Sequence, residues 1–261
     1  MNRQRGLFRL VQDRLHKHGL YDTPAYWDGK ATQYEGLARS NWPSNTYNEH
    51  VHRQQMAALD DLLGDVAGLD IADVGCGTGR ASLHLATRGA RVHGFDFSPR
   101  SLAAARAEAQ TTGLAIDFVE HDVKLPVESM YRGRFDVVLS LGCLTLACRT
   151  RSDFEAALDG LTAMLRPGGR LLFIEPVHRS RLLARILRMS LREWIGYCEI
   201  RGYRLEARRG ILFVPTRYAL AFRDLPARVT DPVFAWGEVV LEATHLERLA
   251  DYKVLLFRAR G

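Results

Sequence analysis

Apolar and polar positions divide the chain into short, regular blocks. Residues 46 to 63 set Val51, Met56, Leu59, Leu62 and Leu63 near helical spacing with Gly64 as a stop, which predicts a helix. Behind it, LDIADV is a short apolar strand that runs into Gly75, Gly77 and Gly79, and ASLHLATRG follows as a helix closed by Gly89. ARVHGFDFS repeats the pattern, with a strand ending at Asp96 and Ser98-Pro99 opening a helix through Gln110. Strands at IDFVEHDV and FDVVLSLG, a helix at RSDFEAALDGLTAMLRPGG and a strand at RLLFIEP continue the series. This alternation with short turns predicts an α/β fold, a parallel sheet covered by helices on both faces.

After Pro176 the pattern changes. Residues 179 to 189 predict a basic amphipathic helix with Arg181, Arg185 and Arg188 on one face and Leu182, Leu183, Ile186 and Leu187 on another. Ser190 and Glu193 read as a capping box for a second helix through Arg201, ended by Gly202. YRLEARR and YKVLLFRAR are the expected last strands, and an insertion from about Gly210 to Ala250 carries Phe213, Tyr218, Phe222, Phe234 and Trp236. The expected organisation is a single domain over 1–261: a helical cap at 1–63, a ligand-binding core at 64–209, an insertion or lid at 210–250 and a last strand at 251–261.

With 261 residues, 47% hydrophobic and 25% charged, the chain can bury a sizeable core, which excludes disorder and collagen. Its longest uncharged apolar stretch, Val137 to Cys148, falls short of the roughly 20 residues a membrane span needs. The first residues carry Arg3, Arg5, Arg9, Arg14 and Lys17 without an apolar core, so they do not read as a secretory signal. Cys76, Cys143, Cys148 and Cys198 form no C-x-x-C pair, which points away from a zinc site or a disulfide framework and towards a reducing cytoplasm. Net charge is +6, concentrated as +4 in residues 1 to 20 and +6 in residues 179 to 209. Such clustering suits RNA, an anionic membrane or an acidic substrate, with a solvated arginine face as the plainer reading.

The turn D-V-G-C-G-T-G-R at 73 to 80 lets a ligand lie against backbone N–H groups at a helix N-terminus. A dinucleotide fingerprint would need glycine where Arg80 stands, and no Walker lysine follows. Asp96, at the tip of the second strand, can accept both hydroxyls of a ribose. Asp122, in E-H-D-V, is suited to accept from an adenine amine while Val123 donates its N–H.

Together, D-V-G-C-G-T-G at 73 to 79, G-F-D-F-S at 94 to 98, H-D-V at 121 to 123, F-D-V-V-L-S at 135 to 140 and L-R-P-G-G at 165 to 169 resemble the ordered motifs of class I S-adenosylmethionine-dependent methyltransferases. The resemblance covers about residues 50 to 210. It implies a doubly wound, Rossmann-like seven-stranded sheet, mostly parallel with the last strand antiparallel; N-terminal helices and a helical insertion between the last two strands, where relatives usually have a short hairpin, are expected beside it. S-adenosyl-L-methionine is the implied cofactor, with Gly75, Gly77 and Gly79 near its methionine part and Asp73 facing its amino group. Asp96 with Phe97 would hold the ribose, Asp122 and Val123 the adenine, and Ser140 with Leu141 would lie beneath the sulfonium. Tyr34, in A-T-Q-Y-E, matches an N-terminal tyrosine that covers the cofactor in small-molecule members.

Methyl transfer is an in-line displacement that chiefly needs alignment, so a resident base is optional. His178, just past the fifth strand, is the first candidate base, and His50 on the helix before the glycine turn is the second; a capping or surface role is the alternative for each. Cys143 reads as a small buried residue. The loop Ser140-Leu141-Gly142-Cys143 departs from the N/D/S-P-P-aromatic motif of amino-methyltransferases that act on bases or glutamine. Y-E-G-L-A-R-S-N-W-P and Arg53 resemble quinone O-methyltransferases, whose E-x-L-E-H signature is missing here. The expected activity is methylation of an oxygen or nitrogen of a small apolar or aromatic metabolite, enclosed by the insertion with Tyr26, Trp27, Trp42 and Tyr47. Competing readings are a membrane-associated quinone or lipid-linked acceptor approached through the Arg-rich helix, an RNA substrate without an appended RNA-binding module, and a protein that binds the cofactor without turnover. No DNA partner and no metal is expected, and the insertion could instead form a homodimer interface.

Overall fold

The computed structural model describes residues 21–39, 44–221, 225–244 and 247–260. The strands are β1 (Asp70–Val74), β2 (Arg91–Asp96), β3 (Asp117–Glu120), β4 (Phe135–Leu141), β5 (Leu165–Glu175), β6 (Tyr203–Phe213) and β7 (Ala250–Ala259). The helices are α1 (Pro24–Gln33), α2 (Asn45–Leu63), α3 (Arg80–Thr87), α4 (Pro99–Thr112), α5 (Leu144–Ala147), α6 (Arg151–Met164), α7 (Leu191–Ile200), α8 (Val214–Leu220) and α9 (Ala227–Thr244).

One seven-stranded sheet runs in the order β3-β2-β1-β4-β5-β7-β6. β1 to β5 pair in parallel, and β7 lies antiparallel between β5 and β6. The central strands are apolar throughout because both faces are covered. Leu171 and Phe173 of β5 join Leu255 and Phe257 of β7 in one core with α6 and α7, whereas Leu172, Ile174, Val254 and Leu256 join the other with α2 and α3. Ser190 and Glu193 form the expected capping box at α7, with both reciprocal bonds present (3.2 and 2.8 Å).

The Arg-rich stretch 179–189 is not the predicted helix. It makes one turn, with the Ala184 N–H on the Ser180 carbonyl, and then gives its N–H groups to distant partners: Ile186 and Leu187 donate to the Thr145 carbonyl. The cause is Arg185, which turns inward to pair with Asp251 (3.2 Å), while Leu182 is left 69% exposed. A helix would have held Arg185 on the same outer face as Arg181 and Arg188. Arg201, Arg208 and Arg209 likewise pair with Asp159, Glu247 and Asp61, so much of the local positive charge is matched within the fold.

The insertion packs on the sheet edge. Phe234 of α9 is buried against Tyr47 and His50 of α2, and Gly237 sits close against Phe213 and Thr216. Trp42 and Phe222 lie outside the described residues, as does the basic stretch 1–20.

Candidate active site

β1 ends at Val74, and the chain turns through Gly75, Gly77 and Gly79, all with left-handed φ (76°, 55° and 82°). A Cβ on Gly75 would run into the side chain of Cys143. The N–H groups of Gly75 and Cys76 donate to the Phe95 carbonyl (2.7 and 3.0 Å), and that of Gly77 donates to Asp96 Oδ2 (2.9 Å). The other Asp96 oxygen accepts from the Ser98 N–H (2.9 Å). The turn is thus fastened to the end of β2. Burial pushes the Asp96 carboxyl up, and these amide bonds act against the rise.

Asp73, Gly75, Gly77, Asp96, Phe97, Asp122, Val123 and Leu141, all singled out in the sequence, lie together on the wall of one cleft at the C-terminal edge of the sheet. Burial raises the Asp73 carboxyl to about 6, opposed by the Ser82 hydroxyl (2.6 Å) and by Arg80. Gly79 stands behind the wall, where a Cβ would press on Ala105 (3.1 Å) and Phe118 (3.2 Å). Ser140 is fully buried and donates to Glu175 Oε1 (3.0 Å), so its side chain supports the loop from below.

Glu175, at the end of β5, builds that loop. One carboxylate oxygen accepts from Ser140 Oγ and the N–H groups of Cys143 (2.8 Å) and Leu144 (2.9 Å), and the other from the N–H and hydroxyl of Thr145. Burial raises the Glu175 carboxyl, and the donated bonds oppose it. Nothing local in I-E-P marks this residue, because its partners lie 30 to 35 positions away.

The N-terminal cap covers the cleft with Tyr21 and Trp27, whose indole N–H donates to the Tyr21 carbonyl (2.6 Å). Two acids anchor it. Asp28 accepts from the Ser98 hydroxyl (2.7 Å) and the Arg100 N–H (3.1 Å) at the start of α4, and Asp22 pairs with Arg149 (2.5 Å) beyond the β4 loop. Tyr34, expected in this role, is exposed and does not border the cleft. It follows the last residue of α1, whereas Trp27 lies within that helix, beside the Asp28 anchor.

The two candidate bases also lie elsewhere. His178 Nε2 donates to the Asp251 carbonyl (2.9 Å) and stands 3.6 Å from the Asp251 carboxylate; burial drives its pKa down. The ring of His50 stacks on Phe234 (3.6 Å between centroids), and burial with the nearby Arg53 lowers it to about 4. Neither borders the cleft.

The cleft is also bordered by residues to which the motifs gave no cofactor role: Arg80, Cys143, Leu146, Ala147 and, from β7, Tyr252. Arg80 directly follows the glycines, a signal that was available. Behind Tyr252, Asp251 is fully buried between Arg185 (3.2 Å) and Arg217, which hold its carboxyl well below the usual range despite burial. Among the described residues, no group of three His, Cys, Asp or Glu side chains could hold a metal ion.

Residues 71–169 match the methyltransferase domain family. A demethylmenaquinone methyltransferase of Tropheryma whipplei is 35% identical over 132 residues, 50% of this chain and 52% of that protein. The chain therefore spans about half the length of this curated relative. Among solved structures, magnesium protoporphyrin IX methyltransferase from Synechocystis superposes with a TM-score of 0.57 at 17% identity, covering 95% and 97% of the two chains. The cyclase SpnF superposes at 0.60 and 21% identity, covering 97% and 94%. The matched segment, 71–169, is similar to the methyltransferase domain, and the sheet order is the one the resemblance to class I S-adenosylmethionine-dependent methyltransferases implies.

Proposed function

We propose that the cleft binds S-adenosylmethionine and that the protein transfers its methyl group to an oxygen or nitrogen of a small apolar or aromatic metabolite. The observation that carries this reading is the convergence of Asp73, Asp96 and Asp122 with the bare backbone of Gly75 on one cleft wall. The residues fit the cofactor: a Cβ at Gly75 would close the space beside Cys143, and three carboxylates face a molecule rich in hydroxyl, amine and ammonium donors. When bound, the cofactor supplies an electrophilic methyl on a sulfonium. Asp96 accepts the ribose hydroxyls, Asp122 and the Val123 N–H read the adenine, Asp73 takes the ammonium, and Arg80 takes the methionine carboxylate. Leu141, Gly142 and Cys143 form the floor nearest the methyl.

Tyr21, Trp27, Leu146 and Ala147 leave a mainly apolar space for the acceptor, which suits a flat aromatic molecule better than RNA. A quinone acceptor is the second reading, favoured by the relative named above. The membrane reading loses the amphipathic helix on which it rested.

Isothermal titration of the purified protein with S-adenosylmethionine and S-adenosylhomocysteine is the direct test. Micromolar affinity for either is expected, followed by labelled-methyl transfer to members of a phenol and amine panel. A folded protein that binds neither overturns the reading; binding without transfer to any acceptor leaves a cofactor-binding protein that is not an enzyme.

A further inference from the structure

The acceptor side of the cleft carries a hydrogen-bond donor where a base would be expected, and this bears on what the acceptor is. β7 is antiparallel to β5, with Glu175 opposite Lys253 and Ile174 opposite Val254. Tyr252 therefore stands one residue past the end of β5, at the same sheet edge as the C-terminal ends of the parallel strands. Its ring borders the cleft, and its hydroxyl would lie 3.9 Å from a Cβ built on Gly142, the residue after Leu141. Gly142 is itself fixed by its N–H on the Ile174 carbonyl (2.9 Å).

Arg185 approaches the same phenol from the buried side, its own position set by Asp251 (3.2 Å). A guanidinium has five donors and no acceptor, so it can take only the lone-pair side of the phenol oxygen. The phenolic proton is then available to a group in the cleft that Tyr252 borders. Burial raises the Tyr252 pKa above its ordinary value, which keeps that proton in place at neutral pH. Arg80 adds positive charge at the same end of the cleft; His178 and His50 lie outside it, and His121, which does border the cleft, directly precedes Asp122 on the side assigned to the adenine.

Resting on the methyltransferase reading, we infer that Tyr252 is the residue that positions the acceptor, by donating a hydrogen bond to an acceptor oxygen that arrives already ionised, as an acidic phenolate or a carboxylate. No base is then needed. The oxyanion lone pair forms the new carbon–oxygen bond as the carbon–sulfur bond breaks; the electron pair of that bond stays on sulfur, and sulfonium and oxyanion both end neutral. No proton moves during the transfer.

The inference is tested with para-nitrophenol, whose phenolate and phenol forms have distinct visible spectra, added to protein saturated with S-adenosylhomocysteine at about pH 6, where the free dye is mostly neutral. The phenolate band is expected to grow on binding. Tyr252→Phe keeps the ring and should weaken phenolate uptake about tenfold while leaving S-adenosylhomocysteine affinity unchanged, which also shows that the variant is folded. Protein that binds S-adenosylhomocysteine but takes up no dye, or takes it up as the neutral phenol, overturns the inference, as does a Tyr252→Phe variant with wild-type phenolate uptake. Failure to bind S-adenosylhomocysteine at all removes the methyltransferase reading instead.

Discussion

The two walls of the cleft are held by different forces. On the wall assigned to the cofactor, Asp96 receives backbone N–H groups from Gly77 and Ser98, and the amides of Gly75 and Cys76 meet at the Phe95 carbonyl, all within 24 positions of one another. On the opposite wall, Tyr252 is backed by Asp251, Arg185 and Arg217, joined by side-chain charge from three separate segments. The first wall is a property of the local backbone and survives any change that leaves the turn intact. The second centres on a fully buried carboxylate that faces two largely buried guanidiniums, so its failure should be abrupt.

The largest effect should follow from removing that carboxylate. Asp251→Ala breaks the buried pairs that this carboxylate makes with Arg185 and Arg217 and should lower unfolding stability by about 3 to 5 kcal/mol in urea titrations. A loss below about 1 kcal/mol, the level of a surface pair, would break the contrast between the walls. On the other side, Asp96→Ala should weaken S-adenosylhomocysteine binding by more than about tenfold in calorimetry while the protein stays folded.

A smaller effect is expected with pH. Because the Asp73 carboxyl is raised to about 6, it must lose a proton to meet the cofactor ammonium, so affinity should fall by up to about tenfold per unit as pH drops below 6. Asp73→Asn should remove this step. In the free protein the sign for folding is reversed: the proton is held more tightly in the folded state, so this contribution to stability is present below the unfolded carboxylate range and is lost as pH rises through about 6. Ser190→Ala, at the α7 cap and on neither wall, should cost about 1 kcal/mol of stability and leave cofactor affinity untouched.

Legibility in the sequence follows the same division. The strands β1, β2 and β4, the glycine turn, Asp96, Asp122 and the Ser190 cap are encoded by residues close together, and eight of the residues singled out for the cofactor border one cleft. Tyr252 opens a last strand expected to be antiparallel, but its place at the cleft follows from the register that sets Glu175 opposite Lys253, which no local pattern carries. The stretch 179–189 has a helical pattern of leucines and arginines, but its decisive partner, Asp251, lies 66 positions from Arg185, and a charge pair buried at that distance overrides local periodicity. His178 does follow β5, yet it turns to the start of β7, because the Asp251 carbonyl is within its reach and the cleft is not.

The two anchors of the N-terminal cap set a time scale as well as a shape. Tyr21 and Trp27 lie across the mouth between Asp28, bonded at the start of α4, and Asp22, paired with a half-exposed Arg149. Exchange of a bound nucleoside is therefore coupled to unfastening one end of this strap, and the Asp22 end is the one that salt weakens. Release of a bound nucleoside should therefore quicken as ionic strength rises.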